Sequence, residues 1–254
     1  MPLMFLYALI ILFVFFIGAF ILTQIKTDKI TKEMMWPLGL VILSVGLLTL
    51  LRLQGYIATW SHFWMVVLTG IWGVRLAYFL YKRNKRAGNA PHQSASLVTF
   101  LKITGLQYIV ALPITTLFAF PKRDGGTLMA WLLFISVLVW IFGFVFEVVS
   151  DQQLRNFKKR PEMEGRILKT GLWKYSRHPN YFGEALMWWG LGLIALSTAQ
   201  MPWALLGILS PALVTVMLLY VWGVPRVEHS LMKNEEYQAY ASYTSVFIPR
   251  KPKK

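Results

Sequence analysis

The chain has no cysteine, which excludes a disulfide framework, a thiolate nucleophile and any Cys-ligated metal. Histidine is scarce as well. His62, His92, His178 and His229 are widely scattered, a distribution that argues against a zinc site. No G-x-G-x-x-G follows a strand pattern and no Walker motif occurs, so a soluble-type nucleotide fold is excluded on pattern. No segment combines a short apolar core with a small-residue cleavage site, so no removable signal peptide is expected. Acidic residues are few, 11 against 26 Lys and Arg, giving a formal charge of +15. Such a charge invites a nucleic-acid partner, but basic loops at one membrane face explain it better, and no nucleic acid is expected.

Apolar residues are abundant. They make up 56% of the 254 residues, aromatics 15%, and the mean hydropathy is positive at +0.52. Several membrane-spanning helices have this composition and a soluble domain of the same size does not. Apolar runs long enough to cross a ~30 Å hydrocarbon core predict spans at 3–22, 34–51, 63–81, 97–120, 128–149, 181–198 and 203–224, with a kink at Pro113. The expected fold is thus an all-α integral membrane protein of about seven helices in one bundle. Placing loops 26–33, 82–94, 150–177 and the tail after 224 on one side collects most of the Lys and Arg there, with Arg52, Lys122 and Arg123 opposite. That asymmetry predicts an outside N-terminus and a cytoplasmic C-terminus.

The chemistry-bearing residues gather around GLWKYSRHPNYFGE, 171–184. Arg177, His178, Asn180 and Glu184 fall within eight positions beside an aromatic-rich apolar run, where ionisable groups need a partner or a task. Pro179 suits the first turn of a helix, which places Asn180 and Glu184 one turn apart on one face. On residue types alone, interfacial anchoring is as good a reading as a ligand site. The preceding segment 150–177 carries eight Lys/Arg and three acids. A loop attracted to anionic membrane lipid looks the same, but Trp173 and Tyr175 add faces on which an adenine can stack. Glu147 and Asp151, four apart at the end of the fifth span, need cationic compensation. Arg155, Lys158 and Arg166 are placed to supply it or to neutralise phosphates. Glu228 and His229 follow the seventh span, either as a solvated cap or as partners of a ligand. Arg75 in the third span either snorkels to the surface or pairs with a carboxylate or phosphate. Tyr78 lies one step further on the same face, and Gln107 and Tyr108 sit mid-span in the fourth helix, where interhelical hydrogen bonding is the competing role. The tyrosine-rich stretch 235–243 is expected to pack against the loops without chemistry.

RHPNYFGE followed by WWG, together with SDQQLRNFK (150–158), GRILKTGLWKYSRHPNYFGE (165–184) and EHSLMKNEEYQAYASYTSVFIP (228–249), resembles the membrane reductases related to steroid 5-alpha-reductase and the sterol C14 and delta-7 reductases, in their short bacterial-type branch. The resemblance covers roughly the last 110 residues well and the first 140 loosely. It implies a single membrane domain in which 1–125 supply substrate-side helices and 126–254 bind NADPH. It also implies a bacterial inner membrane rather than endoplasmic reticulum. Cofactor roles are implied for Asp151, Arg155, Lys158, Arg166, Arg177, His178, Asn180, Tyr181 and Glu184, with Glu147, Tyr175 and Glu228 joining them from the residue reading. Lys158 stands where the steroid reductases carry arginine, and Glu147 where they carry asparagine. Their substrate-polarising Gln-Glu pair is missing, since Gln54 is followed by Gly55, and Trp72 occupies their tyrosine position. The implied activity is NADPH-dependent reduction of a C=C bond in a lipophilic substrate, with Tyr78 as hydrogen-bond donor tuned by Arg75 and Gln107 as a secondary candidate. Two alternatives stay open. The isoprenylcysteine and phospholipid methyltransferases share an RHP-x-Y element but use S-adenosylmethionine, and usually lack the residues matching Asn180 and Glu184. A non-catalytic lipid- or sterol-binding protein is the third. No oligomeric state follows.

Overall fold

The computed structural model describes residues 3–25, 29–87, 97–121 and 126–252. Part of the basic connection at 82–94, the start of loop 26–33, His92, and Lys122 and Arg123 lie outside the described residues.

Among the described residues the chain is helical, with one isolated antiparallel bridge between Pro121 and Ala199. The helices are α1 (Leu3–Ile25), α2 (Lys29–Leu53), α3 (Trp60–Ala87), α4 (Leu97–Val110), α5 (Leu112–Ala119), α6 (Gly126–Lys158), α7 (Pro179–Thr198), α8 (Leu206–Val216), α9 (Val224–Leu231) and α10 (Glu235–Tyr243). Five segments are long and apolar enough to cross a membrane: Leu3–Leu22, Glu33–Leu53, Trp60–Lys85, Gly126–Lys158 and Trp203–Leu231. The bent pair α4 and α5 makes a sixth if counted as one span. By length and composition the described residues thus offer five or six candidate spans, against the seven expected. The segment 181–198 does form a helix, α7, but tryptophans, glycines, Asn180 and Glu184 dilute its apolar character.

Two compact units form, each discontinuous in sequence: Met1–Phe134 with Leu191–Ser210, and Ile135–Gly190 with Pro211–Lys254. In the first, α1 packs on α2, α4 and α5, and α2 packs along α3. Glu33 on α2 accepts hydrogen bonds from Arg83 and, at 2.8 Å, from Asn84 Nδ2 on α3. The chain bends by 54° between α4 and α5, where Pro113 follows the α5 N-cap Ala111. A proline lacks the N–H that would continue the ladder, and hydroxyls can satisfy the carbonyls so exposed. At this bend Ser210 Oγ donates to Val110 O at 2.8 Å, one residue beyond the carbonyl of Ile109 that a Pro113 N–H would have reached.

In the second unit the organising helix is α6, 33 residues long. At 1.5 Å per residue that is roughly 50 Å, well beyond a ~30 Å hydrocarbon core. Its last turns therefore have length to stand clear of the lipid. α7 crosses α6 with almost no side chain between them. A Cβ added to Gly183 would lie 2.6 Å from both Glu147 N and Gly143 O, and one added to Gly143 would lie 2.7 Å from Gly183 O. Small residues of this kind let helix backbones approach closely where lipid gives no hydrophobic drive to associate. The glycine inside YFGE is thus a packing residue that seats α7 against the turn carrying Glu147.

Candidate functional site

α7 begins at Pro179, and the three residues before it are held from behind by the chain's last segment. Arg177 N–H donates to Ser245 O at 2.8 Å. Ser176 Oγ donates to Phe247 O at 2.8 Å and accepts from His178 N–H at 3.1 Å. Tyr240 OH donates to Trp173 O at 2.5 Å, and the Trp173 indole N–H donates to Ser150 O at 3.1 Å, which ties α10 through the 171–174 turn to α6. The RHP element is therefore a rigid extended entry to a helix.

Its side chains converge on one carboxylate. His178 Nε2 lies 2.9 Å from Glu228 Oε1, Tyr237 OH donates to the same oxygen at 3.1 Å, and Arg177 Nη1 stands 3.3 Å away. Because an ionised carboxylate only accepts, His178 Nε2 is the nitrogen that carries the proton. The His178 ring stacks on Tyr181, with planes 6° apart and centroids at 5.3 Å. Arg177 and His178 are 8% and 3% exposed. Burial, then the Glu228 charge, raise the Tyr237 hydroxyl above the ordinary tyrosine value, so it stays a neutral donor.

This cluster forms one wall of a cavity of about 720 Å³, within the size range of small-molecule and cofactor sites. Leu154, Phe157 and Lys158 at the end of α6, the segment from Lys159 to Leu168, Trp173, and Val227, Leu231, Tyr237 and Tyr240 complete it. Lys158, Lys159, Arg160, Arg166 and Arg177 line it, against the single acid Glu164. Gly165, at φ +77°, turns the wall segment back in a conformation that glycine adopts without strain. Two buried polar atoms of the lining, Arg177 Nε and Asn180 Oδ1, have no hydrogen-bond partner among the described residues, while Arg177 Nη1 makes no hydrogen bond but is ion-paired with Glu228. Buried polar groups are ordinarily satisfied. An orphaned guanidinium donor and an orphaned amide acceptor on the same lining suit a ligand carrying both anionic oxygens and an N–H or O–H. With aromatic faces close by and four further cations, the donor set fits a dinucleotide.

The expected cofactor residues divide between this cavity and its surroundings. Lys158, Arg166, Arg177, His178, Asn180 and Tyr181 line it, and Glu228 stands behind Arg177 and His178. Glu147, Asp151, Arg155 and Glu184 do not line it. Glu147 is buried at the Gly183 crossing, Arg155 Nη2 donates to Gln152 Oε1 at 2.7 Å, and Asp151 and Glu184 lie close enough to the Tyr181 phenol to act on it electrostatically. Tyr175 lies outside the lining, is 40% exposed, and its carbonyl accepts from Arg250 N–H. Trp173, the other aromatic of that stretch, is buried against the cavity.

The expected catalytic residues belong to the first unit. Gln107 Nε2 donates to Trp36 O at 2.6 Å, joining α4 to α2 in the interhelical role that competed with catalysis. Tyr78 is 57% exposed on α3 with the Lys82 ammonium 4.4 Å above its ring, and Arg75 is half-buried three residues before it. The residues sequence reasoning passed over are Tyr237 and Tyr240. Their i, i+3 spacing on an amphipathic stretch was the available signal, since it sets both rings on one face.

Fold and site together define a multi-pass helical membrane protein with a basic, partly aromatic cavity beyond the end of its longest helix. A family model described as "Protein of unknown function (DUF1295)" matches residues 19–245, and the chain belongs to this steroid 5-alpha-reductase-like family. Similar proteins include 3-oxo-5-alpha-steroid 4-dehydrogenase 1 of Mus musculus, 31% identical over 111 residues, which are 44% of this chain and 39% of that one. Very-long-chain enoyl-CoA reductase of Dictyostelium discoideum is 25% identical over 117 residues, 46% and 36% of the two chains. Steroid 5-alpha-reductase DET2 of Arabidopsis thaliana is 33% identical over 77 residues, 30% and 29%. The match thus spans less than two-fifths of these relatives' own length. No solved structure matches the chain.

Proposed function

We propose that this protein is a membrane reductase that uses NADPH to reduce an activated C=C bond in a lipophilic substrate, with the dinucleotide held in the cavity of the second unit. The observation that carries this reading is the buried Arg177 guanidinium, which pairs with Glu228 through Nη1 but whose Nε lacks a partner among the described residues, on the same lining as the orphaned Asn180 Oδ1. The names of the relatives support it, because both reductase types they describe act on lipid-like molecules. NADPH when bound supplies a hydride. The chain's own residues bind and orient. Arg177, Lys158 and Arg166 offer charge-assisted hydrogen bonds to phosphate oxygens, and Asn180 offers an acceptor. Glu228 fixes Arg177 and sets the His178 tautomer, while Trp173 and Tyr181 present flat faces. Tyr78 is an open phenol on α3, and in this reading it donates a hydrogen bond to the carbonyl conjugated with the double bond. The proposed topology has seven spans, α7 included, with the N-terminus outside and the cavity on the cytoplasmic side of a bacterial inner membrane.

The test is the melting temperature of detergent-purified protein with NADPH, NADH and S-adenosylmethionine in parallel. A ligand at 100 times its Kd adds about 2.7 kcal/mol to stability. A shift with NADPH that is lost in Asn180→Ala supports the reductase. A shift with S-adenosylmethionine alone moves the protein to methyl transfer.

A further inference from the structure

The outer wall of the cavity, from Lys159 to Leu168, closes mainly on itself. Arg160 N–H donates to Phe157 O, Met163 N–H to Arg160 O, Glu164 N–H to Pro161 O and Arg166 N–H to Met163 O, all at 3.0–3.2 Å. These bonds shape the segment locally and do not fix where it lies. The first turn of α10 does. Asn234 caps that helix, its Oδ1 accepting from Glu236 N–H at 2.8 Å and Tyr237 N–H at 3.2 Å. The same side chain turns Nδ2 toward Gly165 O at 3.4 Å. Glu236 Oε1 lies 2.7 Å from Lys169 Nζ. The Lys169 hydrogen bond foremost holds the Glu236 carboxyl below its ordinary value.

An ion pair whose side chains are 34% and 32% exposed matters little to global stability. Its leverage is positional. Arg166, Ile167 and Leu168 line the cavity in succession, and the start of α10 holds both flanks of that run, Gly165 through Asn234 and Lys169 through Glu236. We propose that Glu236, with the N-cap Asn234, is a positioning residue that clamps the Gly165–Leu168 wall and thereby sets the affinity of the cavity for a phosphate-bearing nucleotide it does not touch. The affinity half of this inference rests on the dinucleotide reading of the cavity, while the clamp itself does not.

The experiment uses full-length protein and the series Glu236→Asp, Glu236→Gln and Glu236→Ala. Three quantities are read: tryptic cleavage after Arg166 without ligand, the NADPH dissociation constant, and the melting temperature. The exposed carboxylate leaves melting nearly unchanged throughout. Cleavage after Arg166 accelerates and NADPH binding weakens, each about fivefold in Glu236→Ala as a loss of about 1 kcal/mol requires. Glu236→Gln falls between, because it keeps a hydrogen-bond acceptor for Lys169 but loses the charge facing it, and Glu236→Asp restores most of both effects. Wild-type cleavage in Glu236→Ala overturns the clamp. Faster cleavage with unchanged NADPH affinity overturns its link to the ligand. If the wild-type protein binds no NADPH at all, the dinucleotide reading fails, and the cleavage ranking still decides the clamp.

Discussion

Replacing Glu228 by glutamine keeps the shape of the hub and removes its charge. Arg177 Nη1 and Glu228 Oε1 are 3.3 Å apart on side chains 8% and 14% exposed, so the substitution removes the counter-charge of a guanidinium whose Nε already lacks a hydrogen bond. Removing one partner of a buried pair costs about 3–5 kcal/mol, because the other charge stays desolvated without compensation. The glutamine oxygen can still accept from His178 or Tyr237, which places the expected loss near 3 kcal/mol. For a chain of this size each kcal/mol moves the melting temperature by roughly 2–4 °C, so Glu228→Gln melts roughly 6–12 °C lower. The assay is a double-mutant cycle with Arg177→Gln in detergent, read by melting at neutral pH. The double variant recovers part of the loss, with a coupling of about 1 kcal/mol or more. A Glu228→Gln shift under about 2 °C, or strictly additive single and double variants, refutes the argument that this pair is buried and mutually dependent.

Gly183→Ala forces a Cβ onto Glu147 N and Gly143 O and lowers stability by about 1–3 kcal/mol. Gly18→Ala, where a Cβ meets nothing within 4 Å, is neutral or mildly stabilising, and a pair of melting curves compares them. Tyr237, raised above the ordinary value chiefly by burial, keeps its proton in the folded state after the unfolded chain has lost it near pH ~10. Its stabilisation is therefore complete below about pH 10 and declines as pH rises further; Tyr237→Phe shows a shallower alkaline fall in melting temperature between about pH 9 and 11. Tyr78→Phe lowers kcat about 10²-fold while leaving NADPH affinity intact if Tyr78 is the donor. An unchanged kcat in steady-state turnover removes it from that role.

Composition and periodicity were enough to establish an all-helical membrane protein, because a 20-residue apolar run has few other stable solutions. The RHPNYFGE signature located the site for a similar reason. Arg, His, Asn and Glu beside an apolar helix must find partners, and Pro179 announced where that helix starts. What local sequence did not carry is which partners they find. Glu228 lies fifty residues beyond His178, and only folding brings its carboxylate onto His178, Arg177 and Tyr237 at once. Tyr175 and Trp173 look equally fit to stack when read as neighbours in a loop. The 171–174 turn and the bond from the Trp173 indole to Ser150 bury one and leave the other at the surface. The glycine of YFGE reads as a helix weakness until α6 is seen 2.6 Å from where its Cβ would be. Apolar pattern is a property of a segment and can be read along the chain. Convergence on one oxygen, and backbone against backbone, are properties of pairs far apart in sequence, and tertiary packing alone decides them.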